Sequence, residues 1–156
     1  MSPFSLAPAR LPATAANIKR AHTFCLAQWQ QRHLERHGEG GRAWMPTDLS
    51  SACKFTSLFA QAVFGGALEG NEDHQFVRLP SGDILDLNTA SQDVVELGSK
   101  AHQHDPAWWG NADHRKSMTS CQPRVEAWLQ AVEKEWGLAP REPVAAASRR
   151  SMRRRP

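Results

Sequence analysis

A thiol, an imidazole and a carboxylate follow one another along this chain as Cys53, His74 and Asp86. A thiol attacks carbonyl carbon only as thiolate. A helix N-terminus and an imidazolium partner both favour that form. An imidazole in that role is held in one tautomer by a carboxylate or amide behind it. The three residue types, in this order, therefore point to acyl transfer through a cysteine, provided the fold brings them together.

The elements that must do so can be read from the pattern. Phe55, Leu58, Phe59, Ala62 and Val63 recur at spacings of three and four, which predicts a central buried helix ending at Gly65-Gly66. Ser50 or Ser51 is the expected cap, and either puts Cys53 in the first turn, where free backbone N–H groups favour a thiolate and an oxyanion. Gln61 reads as a polar-face position of the same helix. Residues 75–79 and 84–88 are strand-like, and Pro80-Ser81-Gly82 joins them as a three-residue turn. That turn sets Leu79 opposite Asp83, Phe76 opposite Asp86 and His74 opposite Asn88. Because strand side chains alternate, His74 and Asp86 then share a face as diagonal neighbours, about 7–8 Å apart at the backbone. A two-residue turn at Ser81-Gly82 would reverse the parity and separate them. Asn88 is the alternative orienter, as a neutral amide. Asn71 has two readings, an oxyanion donor or a turn residue.

A cysteine at the start of a core helix, followed by His and then Asp on adjacent strands, resembles the papain-like and transglutaminase-like superfamily. The residues carrying the resemblance are Ser51-Ala52-Cys53-Lys54-Phe55, Asp73-His74-Gln75-Phe76-Val77 and Gly82-Asp83-Ile84-Leu85-Asp86-Leu87. The resemblance covers about residues 48 to 90, and the interval from Cys53 to His74, 21 residues, is short for that superfamily. The resemblance implies Cys53 as nucleophile, His74 as base and Asp86 as orienter. It implies an α+β fold in which the nucleophile helix packs on a small antiparallel sheet between N- and C-terminal helices. It also implies thioester chemistry on a protein or peptide substrate, of peptidase, amidase, glutamine deamidase or transglutaminase type, without a cofactor.

The rest of the chain frames this core. Residues 1–13 carry Pro3, Pro8 and Pro12 and read as an irregular arm; Met1 to Ala16 lacks the charged start and apolar run of a secretory signal. Residues 14–37 predict a helix with Ile18, Cys25 and Trp29 on one stripe, closed by Gly38, Gly40 and Gly41. A short helix is expected around Val94 to Leu97. Pro123 to Trp136 reads as a terminal helix with Pro123 in its first turn and Val125, Trp128, Leu129 and Val132 on its buried face. Residues 14–137 thus form the expected cysteine-nucleophile domain.

Residues 138–156 hold six Arg and one Glu without periodicity and are expected to be disordered; the remainder of the chain carries 13 basic and 15 acidic residues. The basicity therefore belongs to the tail, where Arg149-Arg150 and Arg153-Arg154-Arg155 offer weak, nonspecific contact to nucleic acid. A noncatalytic binding module using that tail and the His/Trp-rich loop is the competing reading. His102, His104, His114 and Cys121 are a weak alternative as metal ligands, with no compact zinc spacing. Trp108 and Trp109 are either walls of a substrate groove or core residues. Three cysteines at wide spacing argue against a disulfide framework and for a cytoplasmic, reducing setting, and no apolar run is long enough to span a membrane.

Overall fold

A computed structural model of the chain describes residues 6–141. The expected tail from 142 onward, with its arginines, lies outside the described residues, as do the first five of the arm. The fold is α+β: five α-helices and a three-stranded antiparallel sheet in the order β1-β2-β3.

Helix α1 (Ala15–His37) starts on Thr14, whose side chain accepts from Asn17 N, and ends at Gly38. Its buried face is Ala21, Phe24, Cys25, Trp29 and His33. Helix α2 (Cys53–Phe64) is the centre of the molecule. Leu58, Phe59, Ala60, Val63 and Phe64 are all buried, and so are Thr56, Ser57 and Gln61. It packs on α5 and on the sheet, and its Phe59 stacks against Phe24 of α1 at 5.4 Å. Gln61 is not an exposed polar-face residue: it is buried and donates through Nε2 to Gly66 O. A helix covered on nearly every side has no polar face to offer, so its amide must find an internal acceptor.

Strand β1 (Ala67–Gly70) follows α2 after Gly65 and Gly66, both at positive φ. A Cβ on Gly66 would lie 2.3 Å from Arg78 O, so only glycine fits this approach to β2. Strands β2 (Gln75–Arg78) and β3 (Ile84–Leu85) form the expected hairpin. Arg78 pairs with Ile84 and Val77 with Leu85, and Leu79 N donates to Asp83 O. This is the register set by a three-residue turn. β3 is shorter than the expected strand over 84–88. Asp86 Oδ1 accepts from Asn88 N, and the turn it makes bends the chain out of the sheet.

After β3 come α3 (Gln92–Leu97), a 3-10 turn over Gly98–His102, and α4 (Pro106–Trp109). Helix α5 (Ala112–Trp136) is longer than its sequence pattern predicts. It begins on Asn111, whose side chain accepts from His114 N, so Pro123 lies inside the helix and not in its first turn. The apolar stripe explains this. Met118 and Cys121 extend the buried face of Val125, Trp128, Leu129 and Val132 backward, and that burial outweighs the one backbone hydrogen bond Pro123 cannot make. Residues 138–141 do not begin a loose tail. Leu138 N donates to Glu133 O, and Arg141 donates to Glu126 and forms an ion pair with Glu133. The arm is likewise tied down from Ala7, which bridges to Gly66.

One buried side chain fastens the start of α2 to the hairpin. Asn88, fully buried, accepts from Thr56 Oγ1 at 2.7 Å and donates to Leu49 O at 2.8 Å. Asn88→Ala would remove two buried hydrogen bonds, leaving Thr56 Oγ1 only the carbonyls of Ala52 and Cys53 and Leu49 O only the Ala52 N–H. The expected loss is about 1–3 kcal/mol of unfolding free energy by chemical denaturation; a loss within ~0.5 kcal/mol would show that the tie is dispensable.

Candidate functional site

Cys53 opens α2, and the helix start has no side-chain cap. The N-cap is Ala52, not Ser50 or Ser51. The Ser50 side chain is occupied elsewhere and the Ser51 backbone is held away: Ser50 Oγ accepts from Asp93 N, and Ser51 N donates to Asp93 Oδ2. Leu49 N donates to Ser91 Oγ, and Asp48 accepts from Gln92 N. The loop before α2 is thus clamped to the start of α3. The clamp holds Ser51 at φ 67°, a left-handed conformation that costs a non-glycine residue of order 1 kcal/mol. With no side chain folded over it, the first turn leaves the N–H groups of Cys53 and Lys54 for another acceptor, while Phe55 N donates to Ala52 O.

The three cysteines differ sharply in setting. All are free thiols. Cys25 is fully buried, and burial pushes its pKa well above the ordinary thiol value. Cys121 is buried and donates to Ser117 O; burial raises its pKa too, against the pull of Ser120, Lys54 and Arg32. Cys53 alone is partly exposed. Its Sγ donates to Gln75 Oε1 at 3.1 Å, and Gln75 Nε2 is anchored on Asn71 O.

His74 is almost fully buried just before β2. Its Nε2 donates to Asp86 Oδ2 at 2.7 Å. That leaves Nδ1 as the ring atom available to Cys53. Burial opposes a charge on this ring, but hydrogen bonds with Asp86 and Cys53 and the charges of both overcome it and push its pKa up to about 9. These contacts favour the protonated imidazole. Burial alone would raise Asp86; hydrogen bonds from His74, His102 and Asn88 N, with the His74 charge, hold it below its ordinary value instead. Thiol, imidazole and carboxylate thus stand in one line of interaction, through the diagonal His74–Asp86 relation that the turn dictates.

Asn88 does not orient His74. Its amide is consumed by Thr56 and Leu49, and only its backbone N–H reaches Asp86. Asn71 is a turn residue: Oδ1 accepts from Asp73 N and His74 N, while Nδ2 donates to Lys100 O and Gln103 O. Both of its polar atoms are used, so it has no oxyanion role. Trp109 is buried and donates through Nε1 to His104 Nδ1; Trp108 lies half-buried against His114. A cavity of about 230 Å³ beside Trp109 is lined by Leu68, His104, Pro106 and Arg115, and neither Cys53 nor His74 reaches it. The two tryptophans pack the α4–α5 corner and are not groove walls at the thiol.

The weak metal set does not assemble. His102 bonds Asp86, His104 accepts from Trp109 and from Gly70 N, His114 is enclosed by the two Trp rings, and Cys121 lies in the core. Among the described residues, the one group of three ligand-type atoms within 4.8 Å is His74, Asp86 and His102. Both imidazoles meet the same Asp86 oxygen at 2.7 Å. That is a hydrogen-bond distance, whereas two ligand atoms on a tetrahedral zinc lie ~3.3 Å apart.

Two neighbours escaped the sequence reading. Gln75 was hidden because alternation puts it on the face opposite His74; the signal was a polar amide leading directly into the apolar pair Phe76-Val77. His102 was visible only as one member of a His-rich loop. No helix among the described residues is long and apolar enough to cross a membrane. No family model matches the chain, and no curated protein or solved structure matches it either.

The raised pKa of His74 has a consequence for stability. Folding draws a proton onto this ring, so the stabilisation is complete below the ordinary value of 6.5 and is lost as pH rises through about 9. Unfolding free energy should fall across that window by roughly 2 kcal/mol. Asp86→Asn should flatten the decline; an identical pH dependence in the variant would contradict the pairing.

Proposed function

We propose that this chain is a cysteine-dependent acyl-transfer enzyme, a small member of the papain-like and transglutaminase-like kind, with Cys53 as nucleophile, His74 as acid and base and Asp86 as its orienter. The observation that carries the reading is a partly exposed thiol at an uncapped helix start, bonded to Gln75 and electrostatically coupled to a buried imidazole that a buried carboxylate holds. The order of the three residues and the helix-plus-hairpin setting support the same reading.

The chemistry follows from the protonation states. His74 carries the proton, and Cys53 attacks as thiolate. The sulfur bonds to the carbonyl carbon of a peptide or carboxamide, and the carbonyl electron pair moves onto oxygen. The backbone N–H groups of the α2 first turn lie where they can receive that oxyanion. Collapse breaks the C–N bond, and His74 gives its proton to the departing amine. The thioester left on Cys53 is resolved by water, whose proton returns to His74, or by a second amine. Water gives hydrolysis or deamidation; an amine gives a crosslink. The substrate class is a protein or peptide, and the three free thiols suit a reducing, cytoplasmic setting.

Alkylation with iodoacetamide at pH 7 tests the reading. Cys53 should be modified first, with Cys25 and Cys121 protected by burial. In His74→Ala the rate should drop about tenfold or more, toward the few per cent thiolate of an unassisted cysteine. Equal labelling of all three thiols, or a rate indifferent to His74, would refute activation.

A further inference from the structure

Asp86 serves two imidazoles, and the second has no part in the three-residue reading. His102, at the end of the 3-10 turn, donates through Nε2 to Asp86 Oδ2, the same oxygen that accepts from His74, at the same 2.7 Å. A carboxylate only accepts, so both rings must carry their hydrogen on Nε2. With Asn88 N on Oδ1, three donors fix the carboxylate in one rotamer. The ring of His102 also meets Phe76 edge-on at 5.3 Å.

We propose that His102 is a positioning residue of the thiol site: it holds the Asp86 carboxylate in register with His74 and shuts it off from water. This rests on the acyl-transfer reading for its purpose, but not for its geometry. The two histidines are linked a second time. Asn71 accepts from His74 N and donates to Lys100 O and Gln103 O, which flank His102. One asparagine thus sets the start of β2 against the turn that carries His102. Exposure assigns the roles: the Asp86 and His74 side chains are 3% and 1% accessible, whereas His102 is 31% accessible. His102 is the solvent-facing arm of the fork, and without its N–H the carboxylate is free to turn toward the opening. The titratable groups facing His102 are Asp86, from the end of β3, and His74, preceding β2; Phe76 contributes only its ring.

Two variants separate positioning from packing. His102→Leu keeps bulk against Phe76 and removes the donor. His102→Gln keeps an N–H at similar reach and removes the ring. The titration midpoint of His74, followed by NMR of its ring nitrogens, should fall by about half a unit to one unit in the leucine variant. The iodoacetamide rate at Cys53 should fall about threefold with it. The glutamine variant should restore both. A midpoint unmoved by leucine, or moved equally by leucine and glutamine, overturns the proposal. Because the midpoint is read without substrate, the outcome stands apart from whether Cys53 proves to be a nucleophile.

Discussion

A carboxylate removed from water must be met by donors, and Asp86 is where this molecule faces that demand. Its side chain is 3% accessible, and three donors converge to satisfy it: His74 just before β2, His102 from the 3-10 turn and the Asn88 backbone just beyond β3. The charge on Asp86 is stable only while those donors stay in place, and His74 keeps its proton only while that charge is there. Each half of the pair is thus the condition for the other. A thiol placed beside such a pair meets an imidazolium and not a neutral ring.

The architecture around the pair is built to keep two distant segments still. The start of α2 is held from three sides. Asn88 bonds Thr56 and Leu49, the Asp48 to Ser51 loop exchanges hydrogen bonds with the start of α3, and Gln75 accepts from the thiol itself. These are buried or half-buried polar contacts in a core otherwise made of Phe24, Phe59, Phe64, Trp128 and their neighbours. Apolar packing sets how close α2, α5 and the sheet come. Hydrogen bonds, which are directional, then set the rotation and register that a thiol–imidazole contact requires. The left-handed Ser51 is the local cost of delivering Cys53 into the first turn without a side-chain cap above it.

Much of this arrangement was legible along the chain, and the parts that were not share a cause. The α1 limits, the central helix and the hairpin register rest on short-range rules: apolar spacing, glycine stops and the parity of a Pro-Ser-Gly turn. Errors came where distant burial overrode a local signal. Pro123 marks a helix start in isolation, yet the stripe from His114 through Met118 and Cys121 carries α5 straight through it. Ser50 and Ser51 are good caps in isolation, but Asp93, some forty residues on, takes the Ser50 hydroxyl through its N–H and the Ser51 backbone N–H through its carboxylate. Strand β1 carries only four residues, two of them half-exposed, and its pairing with β2 depends on a glycine approach that no periodicity announces.

The sequence by itself determined that Cys53 would open a buried helix and that His74 and Asp86 would share one face of a hairpin. Both follow from periods of 3.6 and 2 over a few residues, and so from backbone geometry alone. Only the tertiary structure decided that the helix start would be uncapped, that Gln75 would receive the thiol hydrogen, that Asn88 would bind α2 instead of the imidazole, and that His102 would share the Asp86 oxygen with His74. Those choices join segments 16 to 42 residues apart. Which of several polar groups satisfies a buried atom is settled by how the elements pack, after their local shapes are already set.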